Sequence, residues 1–279
     1  MPSTTKRLAA LMLFAALQAN AQTPVPAGEI AGTAWTHTAD SLAQVVQQAD
    51  VFLPARATGA GDFFGKFRDA PATTGAKVAV VVFLHGSSGL GSAAIADFQR
   101  WLGSLGIASV APNSFALPGR VTYKSPIDKP AYERIHALRL SEIEPAVQAL
   151  AAQPWADRNR LILIGTSEGS VPVARYTGGE FAARVIYAWS CEPNYFVESP
   201  RSAFSDGKPV LNIISASDPF FSKSNTWLGN PAAAGHCGAA LKGHPNAAVL
   251  LIPDAPHTLF NLPAARHATA GFLQQVTRP

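Results

Sequence analysis

The chain has 279 residues, 48% of them hydrophobic and 14% charged, a composition that excludes a disordered protein and can bury a sizeable core. Its 22 Lys and Arg stand against 18 Asp and Glu, a formal net charge of +4. They form no Lys/Arg run and no aromatic–basic interleaving, so nucleic acid is not an expected partner.

The chain opens with Lys6-Arg7, an apolar run from Leu8 to Leu17, and Ala19-Asn20-Ala21. A basic start, a short apolar stretch and a small-x-small site predict a secretory signal peptide over 1–21, cleaved after Ala21. The apolar run is too short for a bilayer, which needs about 20 residues, so no membrane span is expected. The expected location is periplasmic or secreted. Cleavage removes Lys6 and Arg7 and leaves 20 basic against 18 acidic residues, a net charge near +2. Residues 22–45 are predicted to be peripheral. A short strand is predicted over Asp50–Pro54, then a surface loop over 55–76 and a continuous apolar strand over Lys77–Leu84. A helix over Ser92–Leu105 and a strand over Ile107–Ala111 come next. The segment 112–130, with Pro112, Pro118, Pro126 and Pro130, reads as an irregular connection. One long amphipathic helix is predicted over 131–152, followed by strands at 161–164, 184–189, 209–214 and 247–252. A last helix starts after Pro263. This alternation predicts an α/β fold, a mostly parallel sheet with helices on both faces, in a single domain over 22–279.

The run Leu161-Ile162-Leu163-Ile164 ends abruptly in Gly165-Thr166-Ser167-Glu168-Gly169. Two residues without Cβ atoms let strand and following helix approach closely, while Ser167 takes a strained turn that pushes its hydroxyl clear of the sheet. Ser167 is therefore the candidate nucleophile. His85-Gly86-Ser87-Ser88-Gly89-Leu90-Gly91 follows an apolar strand, and small residues there leave backbone N–H groups to face a ligand. The expected oxyanion donors are the N–H of Glu168 and that of Ser87 or its neighbour Ser88. The glycine spacing matches neither phosphate-binding fingerprint. His85 itself is expected to orient or pack.

A serine hydroxyl needs a base and an oriented carboxylate. Of the histidines after Ser167, His257 follows a strand and a turn, which brings it to the same sheet edge as the serine. His236 and His244 lie in a Gly/Ala-rich loop and His267 in the last helix. Asp218 follows the strand 209–214 and is the expected carboxylate. Asp206 precedes that strand, on the wrong edge, and Asp254, three residues before His257, is the rival. The Glu168 side chain should point away from Ser167, and Arg139, Glu142 and Glu144 should form a solvated or packing face. Cys191 and Cys237 are the only cysteines, and in an exported chain they are expected to pair.

Strand-His-Gly-Ser-Ser-Gly-Leu, then Gly-Thr-Ser-Glu-Gly, then Asp218 and His257 in that order resemble an α/β-hydrolase. Gln153-Pro154-Trp155-Ala156-Asp157, the Ser-Glu-Gly elbow and Tyr187-Ala188-Trp189-Ser190-Cys191 resemble more narrowly the dienelactone hydrolase family and its exported relatives. The resemblance covers roughly residues 50–276. Dienelactone hydrolases proper carry a cysteine nucleophile where this chain has Ser167, so dienelactone as substrate does not follow. The resemblance implies acyl transfer on a small-molecule ester or lactone, with no metal and no organic cofactor. A peptidase or acyltransferase with the same residues, and a non-catalytic binding protein on the same fold, are the alternatives. The loops 112–130, 191–208 and 219–246 are expected to line the pocket with Phe115, Tyr123, Tyr195, Phe196, Phe220, Phe221 and Trp227.

Overall fold

The computed structural model describes residues 25–278 apart from 74 and 201. The leader expected over 1–21 lies outside the described residues. In chain order the elements are β1 (Glu29–Ala31), α1 (Ala39–Gln47), β2 (Asp50–Leu53), α2 (Ala55–Thr58), β3 (Phe63–Lys66), β4 (Val78–Leu84) and α3 (Ala93–Ser104). There follow β5 (Ala108–Ala111), β6 (Thr122–Lys124), α4 (Lys129–Leu140), α5 (Ile143–Ala151), β7 (Ala156–Thr166) and α6 (Ser170–Arg175). The chain closes with β8 (Phe181–Tyr187), β9 (Val210–Ser215), β10 (Ala247–Ile252) and α7 (Pro263–Thr277).

Strand β4 shows why the apolar runs become central strands. All seven of its residues are buried. Val78, Val80, Val82 and Leu84 enter the core on one face of the sheet, and Ala79, Val81 and Phe83 enter the core on the other. A strand covered on both faces has no use for polar alternation, and the uninterrupted run follows from that. β7 repeats the pattern, with Leu161 and Leu163 on one side and Ile162 and Ile164 on the other. The sheet has eight strands in the order β10-β9-β8-β7-β4-β5-β2-β3. The pairings from β10 to β5 are parallel and the last two, at β2 and β3, are antiparallel. A separate antiparallel ribbon pairs β1 with β6. No helix among the described residues is long and apolar enough to cross a membrane.

Three expectations need correction. The segment 112–130 is not irregular throughout, since Thr122–Lys124 forms β6 by pairing with β1. The segment 55–76 is not all loop: Phe63–Lys66 adds an edge strand to β2, with Phe64 opposite Phe52 and Lys66 opposite Asp50. Four residues with one partner strand leave too short a pattern to distinguish from loop. The helix expected over 131–152 is two helices. Asp128 caps α4 by accepting from the Ala131 N–H at 2.8 Å. The break falls at Ser141-Glu142 because Pro145 cannot donate to the carbonyl four residues back, and its ring clashes there. That break turns the Glu142 side chain inward, with consequences for the site.

Cys191, just beyond β8, is disulfide-bonded to Cys237 across 46 residues, with Cα atoms 4.7 Å apart. In the chain-entropy account a loop of that length contributes about 4 kcal/mol. Reduction should therefore lower the melting temperature by many degrees; an unchanged melting temperature in reductant would show that the bond contributes nothing to stability.

Candidate active site

The turn after β7 has the geometry its glycines imply. Ser167 sits at φ 53°, a left-handed conformation costly for a residue with a Cβ. The close approach is real on both sides of it. A Cβ on Gly165 would lie 2.3 Å from the Gly169 carbonyl oxygen, and one on Gly169 would lie 2.2 Å from that of Leu84. The strand, the turn and α6 can pack this tightly only with glycine at both positions.

Asp218 and His257 come from the loops after β9 and β10, neighbours in the sheet, and therefore meet at its C-terminal edge. His257 Nδ1 lies 2.8 Å from Asp218 Oδ2. The other carboxylate oxygen accepts the backbone N–H groups of Phe220 at 2.9 Å and Phe221 at 3.0 Å. Asp218 is fully buried, so these bonds fix its orientation, and the imidazole, held through Nδ1, lines the same cavity as Ser167. The rival Asp254 is exposed and occupies the turn at φ 51°. His236 Nδ1 accepts from Gly238 N–H and His244 Nδ1 from Asn246 N–H, both local turn bonds. His267 is exposed on α7.

The loop after β4 crosses the serine turn. A Cβ on Gly86 would lie 3.4 Å from Ser167 Cβ, and Ser87 and Ser88 line the cavity beside Ser167. His85 is fully buried. Its Nδ1 is 2.7 Å from the Gly86 carbonyl, and Nε2 accepts the Ser114 N–H at 3.2 Å, so the proton resides on Nδ1. Burial, reinforced by the Arg139 charge, pulls its pKa down to about 3. A neutral ring bonded at both nitrogens braces the loop and is unsuited to act as a base.

Behind the turn lies a buried ionic cluster that sequence reading missed. Glu168 does turn away from Ser167, as expected, but into a fully buried site where Oε1 accepts from Arg120 and Arg139, each at 2.7 Å. Arg139 also donates to Glu142 at 2.9 Å and to the His85 carbonyl at 2.9 Å. Arg120 donates to Ser114 at 2.7 Å and to the Val121 carbonyl at 2.7 Å. Burial alone would raise the Glu168 pKa; the guanidinium groups of Arg120 and Arg139 outweigh it and hold the carboxyl down to about 2. Of the three residues expected on a solvated or packing face, Arg139 and Glu142 are interior, paired in this cluster, and Glu144 alone is exposed to solvent, on α5. The i, i+3 spacing of Arg139 and Glu142 was visible in sequence, but nothing local signals that an ion pair will be buried.

The cavity holding Ser167 and His257 has a volume of about 240 Å³. The three expected loops all contribute: Tyr123 and Ser125 from the first, Tyr195 and Phe196 from the second, Phe220 and Phe221 from the third. Two expected aromatics do not line it. Phe115 lies under the Arg120 guanidinium, 4.5 Å from ring centroid to carbon, and Trp227 packs on Tyr195 at 4.5 Å.

No protein-family profile matches the chain, and no curated protein matches it in sequence. Solved structures match its fold. A dienelactone hydrolase-like promiscuous phosphotriesterase from metagenomic libraries superimposes with a TM-score of 0.56 at 16% identity, covering 91% of this chain and 100% of that one. Est1E from Butyrivibrio proteoclasticus, with ferulic acid bound, gives 0.51 at 14% identity over 75% of this chain and 93% of that one. A puromycin-hydrolyzing peptidase of Mycobacterium tuberculosis gives 0.52 at 18% identity over 82% of this chain and 37% of that one. With its eight-stranded, mostly parallel sheet and these likenesses, the chain has the α/β-hydrolase fold.

Proposed function

We propose that the protein is an exported serine hydrolase that cleaves a carboxylic ester or lactone through a Ser167–His257–Asp218 triad. One observation carries the reading: a histidine bonded at 2.8 Å to a buried, doubly anchored carboxylate opens on the same cavity as a serine held at φ 53°. In the proposed step His257 Nε2 accepts the Ser167 proton as Oγ bonds to the carbonyl carbon. Asp218 holds the ring tautomer and stabilises the imidazolium. The backbone N–H groups of Glu168 and Ser87 receive the charge on the carbonyl oxygen, each worth about 3–4 kcal/mol of barrier. His257 then returns the proton to the departing alcohol, and water repeats the sequence to release the acid. The single domain over 22–279 belongs to the same proposal. So does removal of the leader over 1–21, and the Cys191–Cys237 bond suits an oxidising compartment.

The test is intact mass after exposure to a fluorophosphonate probe, with Ser167→Ala alongside. One adduct on the parent protein and none on the variant is the expected outcome. No adduct on folded protein means that the serine is not activated, and a non-catalytic binding protein on this fold becomes the better reading.

A further inference from the structure

We infer that the Ser167 cavity selects an uncharged, largely apolar ester and turns away esters and lactones that carry a carboxylate. This rests on the serine-hydrolase reading and adds a substrate class to it. At about 240 Å³ the cavity is below the roughly 300–1,000 Å³ of pockets for drug-sized ligands, so the group it takes up is compact.

The described residues that line the cavity include no Lys, Arg, Asp or Glu. The polar lining residues are neutral, among them Ser87, Ser92, Ser125 and Thr258; Tyr123 also lines the cavity, with its hydroxyl bonded to Glu168. Hydroxyls can orient a carbonyl or an ether oxygen, but they cannot compensate a full charge removed from water. The cations nearest the serine turn are already committed. Arg120 and Arg139 face Glu168 and Glu142 behind the wall, two positive charges against two negative, so the buried cluster offers an incoming anion no net attraction.

The opposite wall is aromatic and cannot recede. Phe220 packs at 4.7 Å against the His257 ring and Phe221 at 6.0 Å. Phe221 in turn meets Phe196 at 5.3 Å and Tyr195 at 6.2 Å. Phe196 and Phe221 are almost wholly buried, so this wall is part of the core. It gains from apolar contact and offers a carboxylate no compensating charge. A carboxylate entering here loses its water on one side to rings and on the other to hydroxyls.

The experiment compares kcat/KM for 4-acetoxybenzamide and 4-acetoxybenzoate, isosteric esters that differ in one charge, each divided by its rate with hydroxide. The expected ratio favours the amide by well over tenfold, and a ratio of tenfold or less overturns the proposal. Ser92 lines the cavity at the start of α3 and makes no side-chain capping bond there, so Ser92→Lys places a cation at the pocket without removing a cap. That variant should raise the benzoate-to-amide ratio of kcat/KM several-fold; an unchanged ratio overturns charge as the discriminant. Absence of a fluorophosphonate adduct at Ser167 signals instead that the underlying hydrolase reading has failed.

Discussion

Asp218→Asn should lower kcat on a neutral ester by about four orders of magnitude with the fold intact. The size follows from the bonds at that carboxylate. Oδ1 accepts two backbone N–H groups and would do so equally well as an amide oxygen, so the loop keeps its shape. The second atom of the group then becomes an NH₂ facing His257 Nδ1 across what is now a 2.8 Å acceptor contact. A donor in that place forces the imidazole to carry its proton on Nε2, the nitrogen that in the proposed triad accepts from Ser167. The ring is then a donor where a base is needed, and no imidazolium can be stabilised beside it. Steady-state rates and melting curves on the same preparation separate the two effects. Should Asp254→Asn produce the large loss while Asp218→Asn does not, the carboxylate assignment is wrong, however well placed Asp218 is.

The residues of the candidate site are legible in the sequence because each is announced by a local break in pattern. An apolar strand stopping at Gly-x-Ser-x-Gly marks a turn whose strain is visible as φ 53° at Ser167. Asp218 and His257 each sit a few residues past an apolar run, and parallel strands deliver such residues to one edge of the sheet. The central strands were legible for the same reason, since burial on both faces removes polar residues from them. What stayed hidden depends on contacts between distant segments. Phe63–Lys66 becomes a strand only because β2 is there to pair with it. Arg139 is buried only because Glu168, 29 residues on, and Glu142 converge on it from different elements. Phe115 and Tyr123 lie in the same proline-rich segment, the second in β6, yet one stacks under Arg120 and the other lines the cavity.

That convergence makes Arg139→Met the most destabilising single change expected among the charged residues, at about 3–5 kcal/mol by chemical denaturation at neutral pH. Removing one member of a buried ion pair leaves the other charge without compensation, which costs more than the pair itself contributes. Glu168 would retain Arg120, but Glu142 would lose the guanidinium that holds its carboxyl below the usual range against the opposing effect of burial. A cost under about 1 kcal/mol would mean that Glu142 takes up a proton or finds water with ease. The same pairing sets the acid limit of the parent protein. The Glu168 pKa, about 2 in the folded chain, is depressed below its ordinary 4.5, so its contribution to stability is complete above about pH 4.5 and disappears as pH falls through about 2. Glu142 is shifted in the same direction, and thermal melts should drop across that window in the parent protein. Arg139 also donates to the His85 carbonyl, so it ties the loop carrying Ser87 to the turn carrying Ser167 and Glu168. Arg139→Met should consequently lower kcat more than it raises KM, because in the proposed mechanism the displaced N–H groups serve the oxyanion and not the bound ester. Loss of stability with kcat unchanged would confine the cluster to holding the fold together.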